Sequence, residues 1–231
     1  MTSIQQRDVQ AVLAGIDDLL PRLRDRAQET EDLRRIPDAT IAELDEVGFF
    51  KLLQPEQWGG LQTDPVLFYE AVRRLATACG STGWVAAILG VHNWHLAQFD
   101  QQAQEDVWSD DPTVRVSSSY APMGAGVVTD GGYLVSGEWH WSSGCDHATW
   151  TFVGGPVIKD GRPVDFGSFL IPISDYRIED DWHVVGLKGT GSNTLVIKDV
   201  FVPRHRFLSF GAMNNLTAAG LATNTAPVYR M

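Results

Sequence analysis

The sequence predicts an α+β protein in which a helical domain precedes a β-barrel or β-sandwich domain. Three observations carry this expectation. Apolar residues recur every three or four positions over the first hundred residues, the period drops to two after Pro112, and Gly/Asp turns then follow at short intervals. The implied domains are 1–112 (helical) and 113–213 (β-barrel), with 214–231 as a tail.

The helices come first. Val9, Val12, Leu13, Ile16, Leu20, Leu23 and Ala27 form one apolar stripe. Pro37 is placed to open a helix carrying Ile41, Leu44 and Val47, and Gly48 to close it in the left-handed region. Leu52 to Gly60 reads as a loop. Asp64 then caps a helix with Pro65 in its first turn, Phe68, Val72, Leu75 and Cys79 on one face, and Gly80 at its end. The next helix, Thr82 to about Phe99, is apolar nearly all round and is expected at the centre. Gln101 to Trp108 is read as one more short helix.

The strands follow. Val114 to Tyr120 alternates, and Asp130-Gly131-Gly132 turns the chain between Val127-Val128 and Tyr133-Leu134-Val135. Glu138–Trp141, Thr149–Val153, Ser168–Ile171, Tyr176–Glu179 and Thr194–Val202 are further strands, with a hairpin turn at Asp160-Gly161. The segment from Asn214 onward gives no clear pattern.

Composition narrows the function. The formal net charge of −11 and scattered Lys and Arg argue against a nucleic-acid partner. No run of 18 apolar residues suggests a membrane span, and Met1 to Asp8 has no apolar leader region, so the expected location is cytoplasmic. Cys79 and Cys145 are read as buried thiols, and no His, Cys or carboxylate spacing suggests a metal.

Two hydroxyl clusters stand at strand ends beside aromatic rings, Ser118-Ser119-Tyr120 and Trp141-Ser142-Ser143-Gly144. Such groups hold a flat heteroaromatic ligand, although Ser and Thr also decorate turns in any β protein. The central helix carries Trp84, His92, Asn93 and His95, polar groups that need partners once buried. Helical spacing sets His95 near the meridian of Trp84 and His92 on the adjoining flank, so either faces a site beside Trp84. Cys145-Asp146-His147 contains triad residue types, but sequence neighbours do not point at one another. Gly186 to Ser192 is glycine-rich, lacks the order of a phosphate loop, and reads as a turn between strands.

Several segments also resemble a known family. Gly48-Phe49-Phe50 with Pro55-Glu56-Gln57-Trp58-Gly59-Gly60, Gly132 to Trp139 with Trp141-Ser142-Ser143, and Gly186 to Thr194 with Val200-Phe201-Val202-Pro203 resemble, in order, the acyl-CoA dehydrogenase superfamily. Acyl-CoA dehydrogenases carry a Thr-Glu-Pro…Gly-Ser-Asp pattern where this chain has Ser118 to Gly126. That departure, with Gly83-Trp84, Val91 to His95 and Trp141 to Cys145, resembles instead the oxygenase components of two-component flavin monooxygenases.

The resemblance implies reduced FMN or FAD as cofactor, O2 as co-substrate, and a separate NADH-dependent flavin reductase as partner. It implies ortho-hydroxylation of a bulky phenol, such as the phenolic A-ring of a steroid breakdown product. Trp84, Ser118, Ser119, Tyr120, Trp141, Ser142 and Ser143 match flavin-lining positions, with Ser143 near flavin N5, where a hydrogen bond helps retain the C4a-hydroperoxyflavin. His92, Ser118 and Tyr120 match substrate-side positions, and Ser143, His92 and Ser118 the catalytic set. The alternatives are an acyl-CoA dehydrogenase-like flavoprotein or an inactive assembly module. Members continue into a C-terminal four-helix bundle that completes a tetramer. This chain ends at Met231, so the bundle is expected to be absent and the β domain to expose apolar surface.

Overall fold

The computed structural model describes residues 3–231, with side chains from residue 7 onward. Met1 and Thr2, the start of the segment read as lacking a leader, lie outside the described residues. Six helices open the chain: α1 (Ser3–Asp25), α2 (Ala27–Leu33), α3 (Asp38–Glu46), α4 (Pro65–Ala78), α5 (Gly80–Leu96) and α6 (Gln101–Trp108). Eight strands follow: β1 (Val116–Ser119), β2 (Gly124–Thr129), β3 (Gly132–Ser142), β4 (Trp150–Lys159), β5 (Arg162–Pro172), β6 (Arg177–Glu179), β7 (Asn193–Pro203) and β8 (Phe207–Ser209). A last short helix, α7, spans Phe210–Asn214.

The helix signals act largely as read. Val9, Val12, Leu13, Ile16 and Leu23 of α1 are buried, although Leu19 rather than Leu20 completes the stripe and Ala27 belongs to α2. Asp64 caps α4 by accepting from the Val66 N–H at 2.9 Å, with Pro65 at the first position. Two boundaries differ from expectation. Pro37 is the N-cap of α3 and lies outside the helix, since its ψ of 139° is extended. Gly80 opens α5 and does not close α4, because the break falls on Cys79, which is extended at φ −149°.

The sheet runs β6-β7-β3-β2-β4-β5-β8, and β1 joins it on β4. All pairs are antiparallel except β1 and β2 with β4, and these two share one edge of β4, β1 at Trp150–Val153 and β2 at Val157–Ile158. The expected alternation of β1 does not appear, because all four of its residues are buried. β1 packs against α5 on one side and pairs with β4, which leaves its residues little exposed.

Two cores result. Val135, Trp139, Val153, Phe169, Leu195 and Ile197 fill the concave side of the curled sheet. Alternate residues, Phe152 and Leu170 among them, join the helices in the larger core, so β4 and β5 serve both. On the outer face, Val127, Leu134 and Phe201 lie in cross-strand register on β2, β3 and β7, and all are exposed.

The tail without a sequence pattern is ordered by docking. Trp94 donates to the Val228 carbonyl at 2.7 Å, Gln98 to that of Tyr229 at 3.1 Å, and the Tyr229 hydroxyl to that of Leu53 at 3.1 Å. Val228 and Tyr229 are buried against α5.

Candidate active site

The site forms where α5 meets the end of β3, and glycines set that approach. Gly83 faces α4 so closely that a Cβ there would stand 2.6 Å from Ala76 Cα. Gly144, in the left-handed region at φ 71°, follows β3, and a Cβ on it would meet Val85 of α5 at 2.9 Å. Trp84 therefore lies beside Ser143 and donates from Nε1 to its Oγ at 2.9 Å.

A β-bulge between Trp139 and Ser142 breaks the β3–β7 register, and Trp141 within it takes φ 66°. A bulky residue in that region costs about 1–3 kcal/mol and marks a functional constraint. The bulge re-aims the indole, which stands 62 % exposed beside the 49 % exposed ring of Trp84.

Trp84, Ser118, Ser119, Tyr120, Trp141 and Ser143 line one cavity of about 200 Å³, with Ile88, Ala121 and His140 completing its walls. Six of the residues singled out from the sequence thus meet in space. Ser142 and His92 do not line the cavity. Ser142 is fully buried on the other side of the strand, and its hydroxyl meets no partner. His92 lies behind Tyr120, with ring centroids 6.2 Å apart. A larger cleft of about 660 Å³, bordered by Tyr133, Asp165, Arg204 and His205, contains none of the singled-out residues.

The two helix histidines are both satisfied and neutral. His92 Nδ1 meets the Val116 carbonyl at 2.5 Å, and His95 Nε2 meets Ser168 Oγ at 3.2 Å. A carbonyl only accepts, so His92 carries its hydrogen on Nδ1 and leaves Nε2 as a lone pair. Burial lowers His92 to about 4 and His95 to about 3, the latter further because a proton on both rings would bring like charges together. Burial likewise raises the Tyr120 hydroxyl, and a hydrogen bond with Ser118 offsets part of that rise.

Cys145 is raised to about 12, chiefly by burial, and its thiol meets the Gly191 carbonyl at 3.5 Å, so it is no nucleophile. Both cysteines are buried and unpaired with each other. The glycine-rich run is a turn, as read, with Gly191 at φ 50°, but Leu187 also takes φ 55° there. The sequence reading missed His140, Thr190 and Ser192. His140 stands next to Trp141 in β3, and the two hydroxyls sit inside the run read only as a turn.

Comparison with known proteins gives the chain's relatives. The family model for the acyl-CoA dehydrogenase N-terminal domain matches residues 16–110. Over all 231 residues the chain is 78 % identical to a flavin-dependent monooxygenase oxygenase subunit, HsaA, of Mycobacterium tuberculosis, spanning 59 % of that protein. The crystal structure of HsaA from M. tuberculosis superimposes with a TM-score of 0.96 at 77 % identity, covering 96 % of this chain and 59 % of that one. An FADH(2)-dependent resorcinol hydroxylase oxygenase component of a Rhizobium species is 46 % identical over 200 residues, 86 % of this chain and 48 % of that protein. Residues 16–110 thus match the acyl-CoA dehydrogenase N-terminal domain, and the whole chain is similar to a flavin-dependent monooxygenase oxygenase subunit of which it spans 59 %.

Proposed function

We propose that the protein acts as the oxygenase component of a two-component flavin monooxygenase, taking reduced flavin from a separate NADH-dependent reductase and using O2 to hydroxylate a phenol ortho to its hydroxyl. The finer proposal is a bulky phenol of the seco-steroid A-ring type, within steroid or cholesterol catabolism. A cytoplasmic setting and a homotetramer belong to the same reading. One observation carries it: a cavity walled by two exposed indoles and a row of hydroxyls, in a chain 78 % identical to a flavin-dependent oxygenase subunit.

Trp84, Ser118, Ser119, Tyr120, Trp141 and Ser143 are the proposed flavin-holding residues; Ser142, fully buried on the other side of the strand, does not reach the cavity. The indole faces suit a flat ring and the hydroxyls its polar edge. When bound, reduced flavin activates O2 for transfer to the aromatic ring. His92, Ser118 and Tyr120 are the proposed substrate-side residues. A phenol titrates at about 10, far above the His92 imidazolium at about 4, so a phenol that displaces Tyr120 and reaches Nε2 of His92 would donate a hydrogen bond there without losing its proton. That bond raises electron density on the ring as oxygen arrives.

The test is an anaerobic titration with reduced FMN and FAD, repeated with the oxidised forms. Saturable binding of reduced flavin and weaker binding of oxidised flavin is the expected result. Tight binding of oxidised FAD with none of the reduced form would overturn the proposal in favour of a dehydrogenase-like flavoprotein.

A further inference from the structure

A chain of hydroxyls runs inward from the cavity. Trp84 Nε1 donates to Ser143 Oγ at 2.9 Å. Ser143 Oγ lies 2.8 Å from Ser192 Oγ, which lies 2.7 Å from Thr190 Oγ1, and Thr190 reaches the Leu187 carbonyl at 2.9 Å. Three oxygen–oxygen contacts are thus bridged by three hydroxyl hydrogens. The Leu187 carbonyl has no hydrogen to give, so the last contact takes Thr190's. Ser192's must then lie toward Thr190, and Ser143's toward Ser192. Any other assignment leaves two oxygens within 2.9 Å with no hydrogen between them. Ser143 and Ser192 each line a cavity, so it is the short oxygen–oxygen distances, ending on the buried Thr190, that fix the assignment.

Ser143 therefore offers the cavity a lone pair and no hydrogen. His140 is set the same way by a second chain. Its Nδ1 meets Thr194 Oγ1 at 2.7 Å, and that hydroxyl donates to Asp181 at 2.5 Å. A carboxylate accepts, so Thr194 has spent its hydrogen and Nδ1 must donate; in the neutral tautomer this leaves Nε2 as an acceptor on a ring that lines the cavity.

We infer that Thr190 and Ser192 are positioning residues that lock Ser143 as a hydrogen-bond acceptor, and that this polarity makes the site select reduced over oxidised flavin. The inference rests on the flavin reading above. Flavin N5 carries a hydrogen only in the reduced state, so an acceptor-only Ser143 would pair with the reduced ring where it meets N5 and would meet only a lone pair there on the oxidised ring. The relay thus discriminates by a hydrogen-bond mismatch set by Ser192 and Thr190, neither of which lines the cavity beside Trp84.

The polarity is measured first without ligand, by neutron diffraction from deuterated crystals of the protein. The deuteron between Ser143 and Ser192 is expected on Ser143; a deuteron on Ser192, with that of Ser143 aimed at the cavity, overturns the inference. Selectivity is then read as the ratio of oxidised to reduced flavin dissociation constants in wild type, Ser192→Ala and Thr190→Val. Each variant frees the Ser143 hydrogen to turn toward the cavity, so the ratio falls about tenfold through tighter oxidised and weaker reduced binding. Thr190→Ser keeps the hydroxyl and the wild-type ratio. A merely structural role weakens both forms together and leaves the ratio unchanged, which refutes the inference alone. Wild type that binds neither flavin refutes the flavin reading and the inference with it.

Discussion

Replacing Gly83 by Ala sets two effects of opposite sign against each other. Within a helix interior, Gly→Ala alone stabilises by about 1 kcal/mol. The new methyl, however, would stand 2.6 Å from Cα and Cβ of Ala76 and 2.8 Å from its nitrogen. Carbon atoms in contact prefer about 3.5–4 Å, so the overlap approaches 1 Å on three atoms. Two of those are backbone atoms and cannot rotate away, so α4 and α5 must separate. Overpacking of this kind costs about 1–3 kcal/mol, and backbone involvement puts the site at the upper end. The net expectation is a loss of about 2 kcal/mol, or roughly 4–8 °C in melting temperature for a chain of this size. Urea unfolding should show a lower midpoint at an unchanged slope. Gly80→Ala is the control, because its methyl would meet only Leu187 Cδ2, at an ordinary 3.4 Å, and stability should hold or rise slightly. A Gly83→Ala variant as stable as wild type would refute the claim that backbone contact, rather than helix propensity, fixes α5 and the position of Trp84.

Three further outcomes are expected. Ser143→Ala removes the acceptor of the Trp84 indole and should weaken reduced-flavin binding about tenfold in an anaerobic titration, with little change in stability because water reaches the half-exposed indole. Tyr229→Phe leaves the buried Leu53 carbonyl without its hydroxyl partner and should cost about 1–2 kcal/mol in urea unfolding; a neutral result would mean that the tail docks by apolar burial alone. For pH dependence, His92 and His95 titrate at about 4 and about 3 when folded, below the ordinary imidazole at about 6.5. Between these values the unfolded chain binds more protons, so stability is full above pH 6.5 and falls as pH drops toward 4. Going from pH 7 to pH 5 should cost about 2 kcal/mol per histidine, and His95→Gln should flatten the slope by about one proton. An unchanged slope in that variant would show that His95 is not the buried neutral group described.

The covalent pattern of the chain by itself determined its elements. Asp64-Pro65 opens a helix whatever surrounds it, Asp160-Gly161 turns a hairpin because both residues accept positive φ, and the apolar envelope of α5 leaves it no place but the interior. The two hydroxyl clusters and Trp84, singled out in the sequence, supply six of the residues that line the cavity, although spacing alone does not separate such serines from ordinary turn residues and the family resemblance carried the choice. Tertiary structure decided the rest. The Trp141 bulge depends on the register of β3 against β7, and the order of the tail depends on the carbonyls and side chains of Leu53, Trp94 and Gln98 waiting for it. Which serine faces the cavity and which turns away, Ser143 or Ser142, follows from that same bulge. The direction of hydrogens along Ser143, Ser192 and Thr190 was invisible in the sequence, where the three lie up to 49 positions apart. A hydrogen-bond chain has a direction only once its oxygens are brought within 3 Å of one another, and folding alone brings them there.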